Sequence, residues 1–250
     1  MIERSVREEA VWIRLDRPEK LNALHLDDWR DLHEELERAS TEARVAVITG
    51  TGDAFCAGDD IGTLESMDTA DDVNELAERL HDVLFGIEEL SIPVITAVNG
   101  LAYGGGCEIV AASDMAVAIE EATFALPETR IGAYPPFAAE RIAEFAGKKR
   151  SMELMLTGEP IDAETALQWG LINRAVPRSE LVDAVTDYVD SIVQSPKDST
   201  RLAKQHTLHG KPDAGDRNRI AGALAQTAIS DDCRRATRAF LERKTDADGE

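Results

Sequence analysis

Two glycine-rich loops carry the residues best suited to chemistry. The first reads Phe55-Cys56-Ala57-Gly58-Asp59-Asp60 and the second Tyr103-Gly104-Gly105-Gly106-Cys107-Glu108. Each follows an apolar, strand-like run. Glycine has no side chain to hold a ligand away, so a backbone N–H there can closely approach a ligand oxygen. The second loop also opens a helix, whose free N–H groups and positive dipole end favour a developing negative charge. Two such donors aimed at one carbonyl oxygen would make an oxyanion hole. Losing one donor typically costs about 3 kcal/mol of transition-state stabilisation. The alternative is that the glycines only let helices pack tightly on strands.

Two glutamates accompany these loops. Glu108 falls in the first turn of the helix opened by the triple glycine. The helix dipole there favours the ionised form, which suits a base, or the carboxylate merely complements the dipole. Glu128 follows Pro127 at the end of the apolar run Phe124-Ala125-Leu126. A carboxyl held among apolar groups has a raised pKa and can act as an acid; in open solvent it would be one more surface charge. Together with the loops, the pair suggests acid/base work beside an oxyanion site.

Other chemistries lose ground. No Walker A loop occurs, and Gly50-Thr51-Gly52 lacks the third glycine of a dinucleotide fingerprint. No serine sits in a G-x-S-x-G elbow. His25, His33, His81, His206 and His209 are scattered without zinc-ligand spacing, so no metal site is expected.

The elements that must position these residues read as an α/β core with mostly parallel strands. Ala10–Leu15, Arg44–Thr49, Pro93–Val98, Met115–Ile119 and Thr123–Leu126 read as strands, several of them near-continuous apolar runs buried on both faces. Asp27–Ala39 reads as a helix with Trp29, Leu32, Leu36 and Ala39 on one side, and Thr69–Leu90 as a long amphipathic helix. Gly50–Gly62 and Gly100–Gly106 read as glycine loops, and Cys107–Ala112 as a short helix. Helices dominate from Ala138 onward, one of them capped by Asp162 and stopped by Gly170, another spanning Ser179–Gln194.

Composition narrows the setting. The chain has 250 residues with 48 acids against 27 bases, a net charge of −21 that repels phosphate backbones and argues against nucleic-acid binding. Only 7 of the bases are lysine. An acid-rich, lysine-poor surface suits a halophilic cytoplasm, where salt screens the self-repulsion. Cys56, Cys107 and Cys233 form no CxxC pair, which favours a reducing compartment. Glu3, Glu8 and Glu9 interrupt any early apolar run, so no secretory leader is expected. The longest uncharged stretch, Ser91–Cys107, carries Pro93, Asn99 and four glycines and is no membrane span.

At these residues the chain resembles the crotonase family, the enoyl-CoA hydratase/isomerase superfamily. Leu15-Asp16-Arg17-Pro18-Glu19-Lys20-Leu21-Asn22-Ala23-Leu24 is similar to its N-terminal motif, and Val47–Gly50 followed by Ala54–Asp60 to its first oxyanion loop. Pro93–Glu108 (PVITAVNGLAYGGGCE) resembles its strongest signature, and Phe124–Glu128 with Ile131-Gly132 its second-glutamate segment. Thr157-Gly158, Ala163–Ile172 and the C-terminal Phe240-Leu241-Glu242-Arg243-Lys244 fit as well.

The resemblance implies a spiral of repeated ββα units over 1–194 and a C-terminal helical trimerisation region over 195–250. It implies a homotrimer or a hexamer built as a dimer of trimers. It implies an enoyl-CoA hydratase that adds water reversibly across the C2=C3 bond, with coenzyme A as part of the substrate and no separate cofactor. Glu108 and Glu128 would be its catalytic pair, and the backbone N–H groups of Asp59 and Gly105 its oxyanion donors. The family commonly has alanine at the Asp59 position, and an acidic side chain there must turn away from the oxyanion. Lys20, Asn22, Ala23, Leu24, Ala57, Asp60, Ile61, Tyr103, Pro127 and Tyr134 would contact coenzyme A or the acyl chain, with Arg243 or Lys244 reaching a phosphate of a neighbouring subunit. Gly132-Ala133-Tyr134-Pro135-Pro136-Phe137-Ala138 departs from the family's glycine-rich run and would border the acyl pocket, with Pro135-Pro136 stiffening it. The same scaffold could instead shift a double bond or dehydrate a cyclic dienoyl or carnitinyl thioester. A non-catalytic binding protein is a third reading, disfavoured by the intact glutamates and the charge.

The charge balance makes one prediction in solution. Thermal stability and monodispersity should rise between low and molar salt. A protein equally stable and monodisperse without added salt would overturn the halophilic reading.

Overall fold

Uncharged β-branched runs bury both faces of a strand, while a stripe at helical spacing buries one side of a helix. Both patterns are realised in a computed structural model, which describes residues 1–65 and 68–207. The order is β1 (Ile2–Arg7), β2 (Ala10–Leu15), α1 (Leu26–Glu42), β3 (Val45–Gly50), β4 (Ala54–Cys56), α2 (Ile61–Glu65) and α3 (Ala70–Glu89). It continues with β5 (Val94–Val98), β6 (Leu101–Tyr103), α4 (Gly105–Ala112), β7 (Met115–Ile119), β8 (Thr123–Ala125), α5 (Pro136–Ala146) and α6 (Lys148–Thr157). It closes with β9 (Ile161–Asp162), α7 (Ala163–Trp169), β10 (Arg174–Val176), α8 (Leu181–Val193) and α9 (Lys197–Thr207). Cys233 and Phe240–Lys244, with most of the expected trimerisation region, lie outside the described residues.

The strands form two sheets. The larger has the order β1-β2-β3-β5-β7-β10, and the smaller β4-β6-β8-β9. Only β1 with β2 and β8 with β9 are antiparallel; the remaining pairs are parallel. Successive chain segments visit the large sheet, then the small sheet, then a helix: β3–β4–α3, β5–β6–α4, β7–β8–α5. This is the expected spiral of ββα units. Each turn ends its small-sheet strand beside the next, so the loops after β4 and β6 lie side by side.

The expected glycine loops each contain a short strand, β4 and β6. Three residues between turns carry too little periodicity to be read as strands, and pairing with their neighbours defines them. Strand β1 alternates Ile2, Arg4 and Val6 with Glu3, Ser5 and Arg7, is largely exposed, and gains its order from β2. Helix α1 buries Trp29, Leu32, Leu36 and Ala39 as its stripe predicts. In α3 the stripe buries Leu80, Val83, Leu84 and Ile87, but Val73 is exposed. Thr69 caps α3 reciprocally with Asp72, and Asp162 caps α7 by accepting from the Thr165 N–H.

Two buried asparagines fix the first glycine loop. Asn22 Nδ2 donates to the carbonyls of Thr51, Ala54 and Phe55 at 3.0, 2.8 and 3.2 Å. Asn99 Nδ2 donates to Gly52 and Ala54 carbonyls at 2.9 Å, while its Oδ1 accepts from Gly50 N–H. Carbonyls of a buried loop need such partners.

Helix α9 is tied down by one lysine. The buried Lys204 Nζ donates to Asp114 Oδ2 at 2.7 Å and to the carbonyls of Ile87 and Ile92 at 2.7 and 3.0 Å. Burial lowers the Lys204 pKa and raises that of Asp114. Removing one partner of such a pair strands the other charge. Lys204→Ala should therefore lower unfolding free energy by about 3 kcal/mol, a discounted value because Asp114 is partly exposed. Adding Asp114→Asn should recover much of the loss in chemical denaturation.

Candidate active site

The loop after β4 is held in place from below. Leu21, Asn22, Ala23 and Leu24 run alongside it: Ala57 N–H donates to Leu21 O, Leu24 N–H to Gly58 O, and Asp60 N–H to Leu24 O, at 3.0, 2.8 and 2.9 Å. Leu21 and Asn22 both take positive φ, 52° and 59°, to make this turn. Among the described residues, neither the Asp59 N–H nor the Gly105 N–H donates to a main-chain carbonyl. These are the two amides expected to grip an oxyanion.

The two loops meet at their glycines. Gly58 has φ +88°, and a Cβ there would lie 2.9 Å from Gly105 N. Gly104, at φ +53°, caps α4, and Glu128 Oε1 would lie 3.3 Å from a Cβ on it. Glu128 therefore packs against the loop that launches the helix bearing Glu108.

Glu108 is almost completely withdrawn from water, and Glu128 is half-buried. Burial pushes the Glu108 pKa up to about 8, with Glu128 and then Asp59 adding as like charges, against the stabilising N–H groups of Ala138 and Phe137. Burial likewise pushes Glu128 up to about 7, with Asp59 adding as a like charge. The expected raising of Glu128 is present. The expectation that the helix dipole keeps Glu108 ionised is corrected: desolvation outweighs the helix start. Glu108 Oε1 accepts from Ala138 N–H at 2.9 Å, while Glu128 Oε2 is buried without a hydrogen-bond partner. That unpartnered oxygen has the environment of a group that meets a ligand or water.

The departing segment Gly132–Ala138 supplies that hold on Glu108. Pro135 caps α5 and Pro136 occupies its first position, where a missing N–H costs nothing. The next free amides, Phe137 and Ala138, face the Glu108 carboxyl. The two prolines thus preset a helix start that orients one glutamate. From the sequence the segment is expected to border the acyl pocket or merely to be stiffened by its prolines; the hold on Glu108 is not legible there because the partner stands thirty positions earlier in the chain.

The Asp59 carboxyl is met by an indole from α1. Its Oδ1 accepts from Trp29 Nε1 at 2.8 Å. Burial raises its pKa, opposed by that indole and by its own main-chain N–H. Trp29, read from the sequence only as a core residue of α1, was not anticipated here. An acid inside a glycine loop was the one sign that such a donor was needed. Asp60 instead pairs with Arg17 at 2.9 Å and accepts from Gly62 N–H. Burial, the largest single influence on it, is outweighed by the Gly62 N–H and the Arg17 guanidinium together, and its pKa is lowered.

The remaining expected contacts divide. Asn22, Ala23 and Leu24 are buried, and the Asn22 side chain is wholly engaged with backbone and works as a structural brace. Lys20, Ile61 and Tyr134 are exposed. Ala57 and Pro127 are partly buried, and Tyr103 shares a hydrogen bond with Thr123 at 3.1 Å. Among the described residues no helix is long and apolar enough to cross a membrane.

A sequence profile of the enoyl-CoA hydratase/isomerase family matches residues 6–247. The crotonyl-CoA hydratase of Syntrophomonas wolfei is 30% identical over 243 residues, 95% of this chain and 93% of that one. The short-chain-enoyl-CoA hydratase of Clostridium acetobutylicum is 32% identical over 202 residues, 79% of this chain and 77% of its own. The crystal structure of an enoyl-CoA hydratase from Bacillus anthracis superposes with a TM-score of 0.91 at 29% identity, covering 97% of this chain and 96% of that one. A ββα spiral, two adjoining glycine loops and a profile match across nearly the whole length lead to one conclusion: the chain belongs to the enoyl-CoA hydratase/isomerase family, with the crotonase fold.

Proposed function

We propose that the protein hydrates trans-2-enoyl-CoA thioesters, with Glu108 and Glu128 as its acid/base pair. The observation that carries this reading is a buried Glu108 on the helix opened at Gly104, with the half-buried Glu128 packed against Gly104 and one of its oxygens unpartnered; both carboxyls are raised into the neutral range. Adding water needs a proton acceptor and a proton donor at once. A pair holding one proton between them supplies both. Moving a double bond transfers a proton between two carbons, for which one carboxyl suffices.

In this reading the thioester oxygen lies between the N–H groups of Asp59 and Gly105, and the start of α4 adds its dipole. The ionised carboxyl takes a proton from water as the water oxygen bonds to C3. The π electrons move to the thioester oxygen, forming an enolate that the two amides stabilise. The protonated carboxyl then delivers its proton to C2. The pair ends with one proton, as it began, and the reverse sequence dehydrates a 3-hydroxyacyl-CoA. Lys20–Leu24 and Ala57–Ile61 border coenzyme A, with Asn22 acting through its brace. Tyr103, Pro127 and Tyr134 border the acyl chain. No cofactor is required, and a homotrimer or homohexamer belongs to the same proposal.

Glu108→Gln and Glu128→Gln should each lower kcat by about 10²–10⁴-fold while a thioester still binds. Parent-like hydration of crotonyl-CoA by both variants would overturn the assignment; isomerisation of a 3-enoyl thioester without hydration would favour the rival reaction. The parent kcat/KM should be bell-shaped, falling below about pH 7, where the pair gains a second proton, and above about pH 8, where it loses its last. Stability provides a separate readout. A carboxyl whose pKa is raised on folding contributes stability at low pH that is lost as pH rises through its folded value. Glu108→Gln should therefore raise Tm relative to the parent above about pH 8.

A further inference from the structure

The acid/base scheme gives the Asp59 side chain no task, yet its surroundings are built. Trp29 is fully buried on α1. Its indole N–H reaches Asp59 Oδ1 at 2.8 Å, and its ring lies against Gly105, where a Cβ would come 2.8 Å from Trp29 Cζ2. One side chain thus touches both glycine loops, packing on the second and hydrogen-bonding the acid of the first. Indole nitrogen only donates, so this contact favours an oxygen acceptor, and a charged one most.

Charged and titratable groups surround Asp59 from each neighbouring element. On its own loop, Asp60 is paired with Arg17, and His25 Nε2 lies 3.9 Å from the same Asp60 oxygen. Helix α1 brings Asp28, buried 3.9 Å from the Met1 ammonium. Strand β4 brings the Cys56 thiol, α4 brings Glu108, and the turn after Pro127 brings Glu128. Among the described residues, no cation is paired with Asp59 itself. Both glutamates feel Asp59 as a like charge.

We propose that Trp29 and Asp59 form a positioning pair, in which the indole holds the Asp59 carboxylate between the two loops as a third negative charge beside Glu108 and Glu128. Asp59 does not touch the reacting atoms through its side chain; it acts through the two glutamates. The inference rests on their acid/base role, but its test does not require turnover.

Asp59→Asn keeps an oxygen for the indole and removes the charge. Trp29→Phe keeps a ring on Gly105 and removes the donor. Glutamate carboxyls are titrated by carbon-13 NMR in the resting protein, with signals assigned through Glu108→Gln and Glu128→Gln. In Asp59→Asn both midpoints should fall by about half a unit or more. Trp29→Phe, which loosens the hold on charged Asp59, should move them in the same direction by less. Both limbs of the kcat/KM profile should follow to lower pH, with the thioester KM little changed. Asp59→Asn should also recover the Tm that Asp59→Ala loses. Midpoints unmoved in both Asp59→Asn and Trp29→Phe would overturn the proposal. Shifted midpoints in a protein that hydrates no enoyl thioester would overturn the hydratase reading and leave the pair standing.

Discussion

A carboxyl taken out of water must be met by something, and the site is organised around how Glu108 is met. Its hydrogen-bond partner is the start of α5, and the start of α5 in turn has amides without intrahelical partners. Each satisfies the other. That exchange joins two successive turns of the spiral, because Glu108 rides on α4 and its donors on α5. It also fixes which way the carboxyl faces. The proximity of Glu128 then follows from the same stacking, since β8 delivers it beside β6 and the Gly104 cap.

The close approach of the two glycine loops is the second condition. Any side chain at Gly58 would strike the Gly105 amide, and one at Gly105 would strike Trp29. Where the loops meet, the Asp59 and Gly105 amides have no main-chain acceptor. Asn22 and Asn99 brace the first loop by taking up carbonyls that strands would otherwise satisfy. Glycine supplies the approach, and buried amides of asparagine supply the rigidity that glycine lacks.

Local signals made much of this legible. Val94–Val98 and Val45–Gly50 could be read as buried strands because their apolar runs are unbroken, and Asp162 and Gly170 could be read as caps because capping is a matter of a few residues. The two glutamates and two loops were visible as types and spacing. What the sequence withheld was non-local. Strand β4 exists only as a partner of β6, and β6 only as a partner of β4 and β8. Trp29 looks like any core tryptophan until Asp59 is placed beside it. The prolines before Phe137 look like loop stiffeners until Glu108 arrives from the previous turn. The dipole argument at Glu108 failed for a related reason. It weighed the helix start, which is local, and not the burial imposed by packing from elsewhere.

The contrast between exterior and interior carboxylates has a consequence for salt. The chain carries a net charge of −21, and among the described residues most acids are in contact with solvent, where ions screen them over a Debye length of about 10 Å or less. Glu108 is buried and Glu128 and Asp59 are half-buried, so their mutual interaction is screened less than that between surface charges. Salt strong enough to quiet the surface therefore leaves the proton balance of the site largely in place. Burial costs the fold stability, because each carboxyl gives up hydration. The same burial keeps Glu108 apart from the ions that screen the surface.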